Sequence, residues 1–382
     1  MEKGKGLILP HRQNLWSRRR VLGAGVGAAA AVSMLPAMSF AQAADEAPDA
    51  DLVSKAKAEG TLTFYHTTAI DLTAMWTKQF TDKYGITTQN VRGPSYPLWD
   101  RWLTEERAGQ HIADALQITD NVLIEAAHEE GLIADYTPES GAGIREGMKK
   151  EGVWYTAFVN AMGYAWNSAQ VSDEEDKLLR TAKWEVLTDP RWAGRFATAT
   201  PASGGSSYSF VYMFLRGRAK ELDGENFYKK QAALKPQIFD TKSPMYDRLS
   251  AGEFALVDQA SQSDMGGFYL KKAPIRWAFP APTPANLTIQ TISKNATHPN
   301  AARLFQEWAM SQEGQSAWFK FSGVTSARED TVDPRKTNKT DWYKEDWYAD
   351  PTDLYIDYLK DPDYVDPNKP IIAEWNQIFG VA

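Results

Sequence analysis

The chain reads as a series of strand–loop–helix units that is interrupted once. Trp154–Val159 and Met162–Trp166 are two extended segments that follow one another with no helix between them. Upstream, Thr61–Tyr65 is a run of β-branched and aromatic residues, and His66-Thr67-Thr68 is a loop. Leu72–Tyr84 has helical spacing, with Gly85 as its stop. Ile86–Val91 gives a second strand, 93–97 a turn, Leu98–Ala108 a helix and Ala115–Ile118 a short buried strand. Downstream the alternation resumes with a strand at Phe196–Ala199, a Ser/Gly loop and helices at Ser207–Lys220 and Met245–Ala251. Strands are predicted at Phe254–Val257, Ile275–Phe279 and Leu287–Ile292, and helices at Pro299–Met310 and Gln312–Phe321. Such alternation predicts an α/β protein whose parallel sheets are covered on both faces. The helix-free pair at 154–166 is suited to carry the chain from one α/β unit to the next. Residues 331–382 are rich in Asp, Pro, Tyr and Trp, with a helix expected near Leu354–Leu359 and the aromatic residues expected to drape over one lobe.

The first 43 residues have a different character. Ser17-Arg18-Arg19-Arg20-Val21-Leu22 matches the twin-arginine export pattern, and Lys3, Lys5 and Arg12 make the preceding segment positive. Val21–Phe40 is an Ala/Gly-rich apolar stretch, and Ala41-Gln42-Ala43 supplies a small-x-small cleavage site. The low hydrophobicity, Pro36 and that cleavage site favour a removed signal over a membrane anchor. Residues 1–43 are therefore expected to be cut off, placing the rest in the periplasm through the twin-arginine export machinery. The remainder carries 36 basic and 48 acidic residues, a net charge of −12. This argues against nucleic acid and anionic membrane surfaces as partners. The absence of cysteine excludes disulfides, thiolate metal sites, a thiol nucleophile and a lipidated cysteine.

Four phrases, in order, carry a resemblance. Met162-Gly163-Tyr164-Ala165-Trp166-Asn167 is similar to a lobe-crossing strand. Leu187-Thr188-Asp189-Pro190-Arg191-Trp192-Ala193-Gly194-Arg195 is similar to the phrase that opens a second lobe. Ala251-Gly252-Glu253-Phe254-Ala255 looks like a characteristic turn and strand. His298-Pro299-Asn300-Ala301-Ala302-Arg303-Leu304-Phe305, followed by Ser311-Gln312-Glu313-Gly314-Gln315, resembles a late helix pair. Together, over about Leu52–Arg328, they resemble the periplasmic solute-binding proteins of ABC importers (extracellular solute-binding protein family 1), in the ferric-iron/spermidine/phosphonate-like group. The resemblance implies the two-lobed type II periplasmic-binding-protein fold with a ligand cleft between lobes. It assigns 44–160 to lobe 1, 161–283 to lobe 2, and 284–382 to a return to lobe 1 plus a C-terminal tail. It also implies a small-molecule ligand, closure of the cleft like a hinge, and delivery to an ABC permease in the inner membrane. A monomer with no cofactor is expected.

Ligands of doubly wound sheets sit beyond the carboxyl ends of strands. The strongest such loop is Ser203-Gly204-Gly205-Ser206-Ser207-Tyr208, where hydroxyls and a helix start favour an anion. His66, Thr67 and Thr68 follow the first strand, Ser95 and Tyr96 the second, and Asp120 the third. Asp258 and Gln259 follow Phe254–Val257 and would approach from lobe 2. Ferric-iron binders of the resembling group carry adjacent tyrosines at that last place, and here it reads Asp258-Gln259-Ala260-Ser261. The expected ligand is therefore a small organic anion or zwitterion such as a phosphonate, sugar phosphate or carboxylate. Ferric iron, thiamine or a polyamine on the same fold is the alternative. An exported hydrolase is the alternative from another class, although neither a Gly-x-Ser-x-Gly elbow nor a His-Glu-x-x-His motif occurs.

Overall fold

The computed structural model describes residues 47–181, 183–217, 223–356, 358, 361–364, 366 and 369–381. The expected export signal lies outside the described residues, as does the end of the helix expected at 354–359. The chain opens with α1 (Ala50–Glu59), β1 (Thr61–His66), α2 (Ile70–Tyr84), β2 (Thr87–Arg92), α3 (Ser95–Arg107), β3 (Ala115–Ile118) and α4 (Asn121–Glu129). The Asp49 carboxylate starts α1 by accepting from the Asp51 amide, and Gly85, at φ 75°, ends α2 in a left-handed conformation. Of the turn expected at 93–97, Gly93 and Pro94 precede α3, and Ser95, Tyr96 and Pro97 are already its first turn. Pro97 is tolerated there because a first-turn N–H has no partner within the helix in any case.

Next come β4 (Lys149–Lys150), β5 (Trp154–Asn167), α5 (Asp173–Leu179), β6 (Phe196–Ala199), α6 (Gly205–Leu215) and α7 (Gly224–Ala233). β7 (Gln237–Phe239), α8 (Lys242–Ala251), β8 (Leu256–Ser261), α9 (Gln262–Leu270) and β9 (Ile275–Ala278) follow. The chain closes with β10 (Thr283–Ile292), α10 (Pro299–Met310), α11 (Gln312–Ala317), α12 (Pro334–Asn338), β11 (Leu354–Tyr355) and α13 (Pro370–Phe379). Where a helix was expected at 354–359, Leu354 and Tyr355 pair with Thr283 and Pro284 as a short strand.

The two extended segments of the sequence are one 14-residue strand, β5, shared by two sheets. Its first half joins a sheet of order β2-β1-β3-β10-β5, with β4 on the outer side. Its second half lies between β8 and β9, and β6 and β7 continue beyond β8. Each lobe therefore has its own sheet. The purely parallel arrangement expected from alternation is not found, because β5 runs antiparallel to β8, β9 and β10, and β10 runs antiparallel to β3 as well. The strands that feed helices (β1, β2 and β3; β6, β7 and β8) remain parallel.

Aromatic residues dominate the cores. In the first lobe Trp76 stacks on Trp318 with centroids 4.6 Å apart and touches Phe305 and Trp308. In the second lobe Trp166, Trp184, Phe210 and Phe214 belong to one buried cluster, and Met245, Val257 and Trp277 to another. The tail packs on this second lobe: Trp342 and Trp347 join the latter cluster, and Tyr358, Tyr364 and Trp375 the former. Fully burying one such ring is worth about 2–3 kcal/mol, so the tail is a structural part of the lobe.

Candidate functional site

Six strands deliver their carboxyl ends to one cavity between the lobes, enclosing about 90 Å³. From the first lobe come Thr67 and Thr68 after β1, Arg92 at the end of β2, Ser95 at the start of α3, and Thr119 after β3. From the second come Ser203, Gly204 and Ser206 after β6, Thr241, Lys242 and Ser243 after β7, and Ser261, Ser263 and Asp264 after β8. The crossing strand adds Phe158 and Asn160 to the floor, and β10 adds Thr288.

The polar groups are held by one another. The Lys242 ammonium donates to Ser206 Oγ at 2.6 Å, beside the first turn of α6. Burial pushes the Lys242 pKa down to about 8, against the pull of Asp264 and Asp258. Burial also raises the pKa of Asp264, while Lys242 and a hydrogen bond from Ser261 hold it down. Arg92 reaches across the cleft and donates to Ser243 Oγ at 2.8 Å. Asn160 Nδ2 donates to Ser261 Oγ at 2.8 Å, and Asn160 Oδ1 accepts from the Ser263 amide at 3.0 Å. Thr68 donates to Gln117 at 3.0 Å, and the buried Ser95 hydroxyl has no protein partner. Two cations, one carboxylate, a ring of hydroxyls and a helix N-terminus make the cavity a net donor, suited to an anion.

The expected site residues separate into those that line this cavity and those that do not. Thr67, Thr68, Ser95, Ser203, Gly204 and Ser206 line it. His66 lies in the core, with its ring stacked 5.5 Å from Phe64 and Nδ1 bonded to the Thr68 carbonyl. Burial lowers its pKa to about 4, so its imidazole is neutral at physiological pH. Gly205 packs its backbone against Thr119, and Ser207 accepts from the Ser203 hydroxyl at 2.7 Å inside the second lobe. Tyr96, Asp120 and Tyr208 form a separate cluster with the tail. Tyr96 donates to Asp120 Oδ2, Asp120 caps α4, and Lys369 pairs with Asp120 at 3.3 Å while lying 4.8 Å from the Tyr208 ring centroid.

Asp258 and Gln259 were expected in a loop and are found inside β8. A bulge explains this: Gln259 has φ 54°, and the β5–β8 register shifts between Gly163 and Ala165. Gln259 donates to the Ala199 carbonyl at 2.7 Å, and Asp258 is buried with its pKa pushed up to about 7. The strand end therefore falls at Ser261, which brings Ser261, Ser263 and Asp264 to the cavity in place of Asp258 and Gln259. Arg92, Asn160 and the β7–α8 loop were missed by sequence reasoning. The last had a usable signal, Gln237-Ile238-Phe239 followed by Asp240-Thr241-Lys242-Ser243, the same strand-to-hydroxyl-loop pattern as the others.

Among the described residues, no group of three or more His, Asp or Glu side chains is placed to hold a metal ion, and no helix is long and apolar enough to cross a membrane. The fold is similar to that of AfuA from Actinobacillus pleuropneumoniae, a periplasmic binding protein with fructose-6-phosphate bound. The TM-score is 0.66 at 22% identity, covering 85% of this chain and 100% of that one. Iron-bound HitA from Pseudomonas aeruginosa gives a TM-score of 0.62 at 21% identity, covering 84% and 99%. An uncharacterized protein of Haemophilus influenzae is 29% identical over 275 residues, 69% of this chain and 77% of that protein. The model of the bacterial extracellular solute-binding proteins matches residues 75–351. With the two-lobed fold and a polar cavity between the lobes, that match, over well more than half of the chain, places this protein in the family of bacterial extracellular solute-binding proteins.

Proposed function

We propose that this protein is the periplasmic ligand-capturing component of an ABC importer, binding a small organic anion or zwitterion and carrying out no chemistry on it. The observation that carries the reading is the convergence of Arg92 and Lys242, from opposite lobes, on one hydroxyl-lined cavity. An anion placed there would bridge the lobes, which is what a ligand needs in order to favour the closed form over the open one. Asp264 would receive an amine or hydroxyl of the same ligand. A cavity of about 90 Å³ is several times the roughly 10–15 Å³ that a single water needs, and so has room for a small anionic group. The resemblance to ABC solute-binding proteins and the twin-arginine pattern support export to the periplasm, action as a monomer and hand-over to an inner-membrane permease.

Ferric iron fits less well. The carboxyl end of β8 reads Ser261-Gln262-Ser263-Asp264 without a phenol, while Tyr208 and Tyr364 lie against Lys369 and Tyr96 donates to its partner Asp120. The test is thermal unfolding, followed by tryptophan fluorescence, against phosphonates, sugar phosphates, carboxylates, amines, thiamine and ferric citrate. A ligand at a hundred times its dissociation constant adds about 2.7 kcal/mol. Stabilisation by anions that is markedly reduced in Lys242→Met supports the reading. Stabilisation by ferric citrate alone overturns it.

A further inference from the structure

A second and larger space, about 360 Å³, adjoins the first at the mouth of the cleft. The two share Ala69, Arg92, Ser243 and Asp264, so the Arg92–Ser243 hydrogen bond stands on their common border. Beyond that border the lining changes character. Ile70 and Leu72 from α2 and Gly267 and Phe268 from α9 line it, with Tyr246 and the carboxylate of Asp247 from α8 at its side. An ion pair between Asp71 and Lys271 joins α2 to the end of α9 at this outer space. Ile70 is 50% exposed, one of few large apolar side chains so placed among the described residues. The inner cavity thus offers cations and hydroxyls to a small head, and the outer space offers an apolar wall with an uncovered isoleucine.

Resting on the anion reading above, we propose that the outer space is a subsite for an uncharged apolar arm of the ligand. The ligand class is then an organic phosphonate, or a phosphate monoester of similar shape, whose head occupies the inner cavity. Its arm passes Arg92 and lies between α2 and α9. Gly267 sets the width of that passage. A Cβ there would sit 3.4 Å from Leu72 Cδ2, an ordinary contact, so alanine fits and a larger side chain enters the space. Gly267 lies within α9 without a left-handed φ, so substitution there meets no backbone obstacle.

The probes are n-alkylphosphonates from methyl to octyl, with phenylphosphonate, titrated calorimetrically into the protein. Once the chain passes Arg92, the dissociation constant is expected to fall about threefold to fourfold per methylene, the change for burying one CH₂, until the space is filled. Gly267→Leu is expected to abolish that gain while leaving methylphosphonate within twofold of wild type. Phe268→Ala, which removes wall area without adding bulk, is expected to reduce the gain and serves if the leucine variant does not fold. If methylphosphonate binds and longer chains bind no better, the arm subsite is refuted while the anion cavity stands. If no phosphonate binds, including methylphosphonate, the subsite falls, and the anion reading falls with it when the sugar phosphates and carboxylates of the panel also fail to bind.

Discussion

Gly205→Ala tests the approach of the two lobes directly. Gly205 is the first residue of α6 in the second lobe, and its backbone meets Thr119 of the first lobe across the cleft. A Cβ would lie 2.6 Å from the Thr119 carbonyl oxygen and 2.9 Å from its Oγ1, where ordinary contacts begin at 3.4 Å. The lobes would have to separate by about 0.8 Å at this point to admit the methyl group. Under the proposed hinge closure, overpacking of this kind costs roughly 1–3 kcal/mol in the closed form alone. Ligand affinity, which draws on the closed form, should weaken roughly 5-fold to 150-fold. Within α6 itself alanine is the better residue by up to about 1 kcal/mol, so the unliganded protein should melt no earlier than wild type. Calorimetric titration with a small phosphonate, paired with thermal melts without ligand, reads both quantities. An affinity within twofold of wild type would show that this approach is not part of the liganded closed form. A marked loss of unliganded stability would show that the contact belongs to the fold and not to closure.

Other consequences can be checked by similar means. Lys242→Met should weaken anion binding by roughly 10-fold to 100-fold, the worth of a charged hydrogen bond. Wild-type affinity should fall as pH rises through about 8, where Lys242 loses its proton, and the variant should lack that dependence; titrations between pH 7 and 9 decide. His66, fully buried, has its pKa lowered to about 4 from an unfolded value near 6.5, so the unfolded chain binds the extra proton between those values. Its contribution of about 3 kcal/mol is therefore complete above pH 6.5 and lost as pH falls towards 4. His66→Asn should flatten that part of a urea-unfolding series. Lys369→Met leaves the buried Asp120 carboxylate without its cation and should cost roughly 3 kcal/mol, most of it recovered by adding Asp120→Asn. No recovery in the double variant would mean that Lys369 acts through its packing on Tyr208 and Tyr364.

Much of the architecture was legible because it rests on local chemistry. β1, β3 and β6 announce themselves as short apolar or β-branched runs, and the loops after β1 and β6 supply Thr67, Thr68, Ser203, Gly204 and Ser206. Several of the errors come from reading polar residues as loop or surface. Asp258 and Gln259 are strand residues because a bulge lets Gln259 bond to the neighbouring strand, and no periodicity reports such a long-range contact. Tyr96 and Asp120 follow the right strands but turn toward Lys369, more than 200 residues away in sequence. Arg92 and Lys242 went unread because an isolated cation in a charged sequence looks like solvated surface until the fold brings the two together. His66 shows the converse, a polar residue at a strand end whose side chain points into the core.

The central claim is that Arg92 and Lys242 make the cleft a receptor for a small organic anion. Calorimetric titration of the protein with ethylphosphonate and with an uncharged compound of the same shape tests it most directly. Saturable binding of the anion alone, weakened roughly 10-fold to 100-fold in Lys242→Met and weakened also in Gly205→Ala, is the predicted result. Equal binding of the uncharged compound, or anion binding indifferent to Lys242, would contradict it.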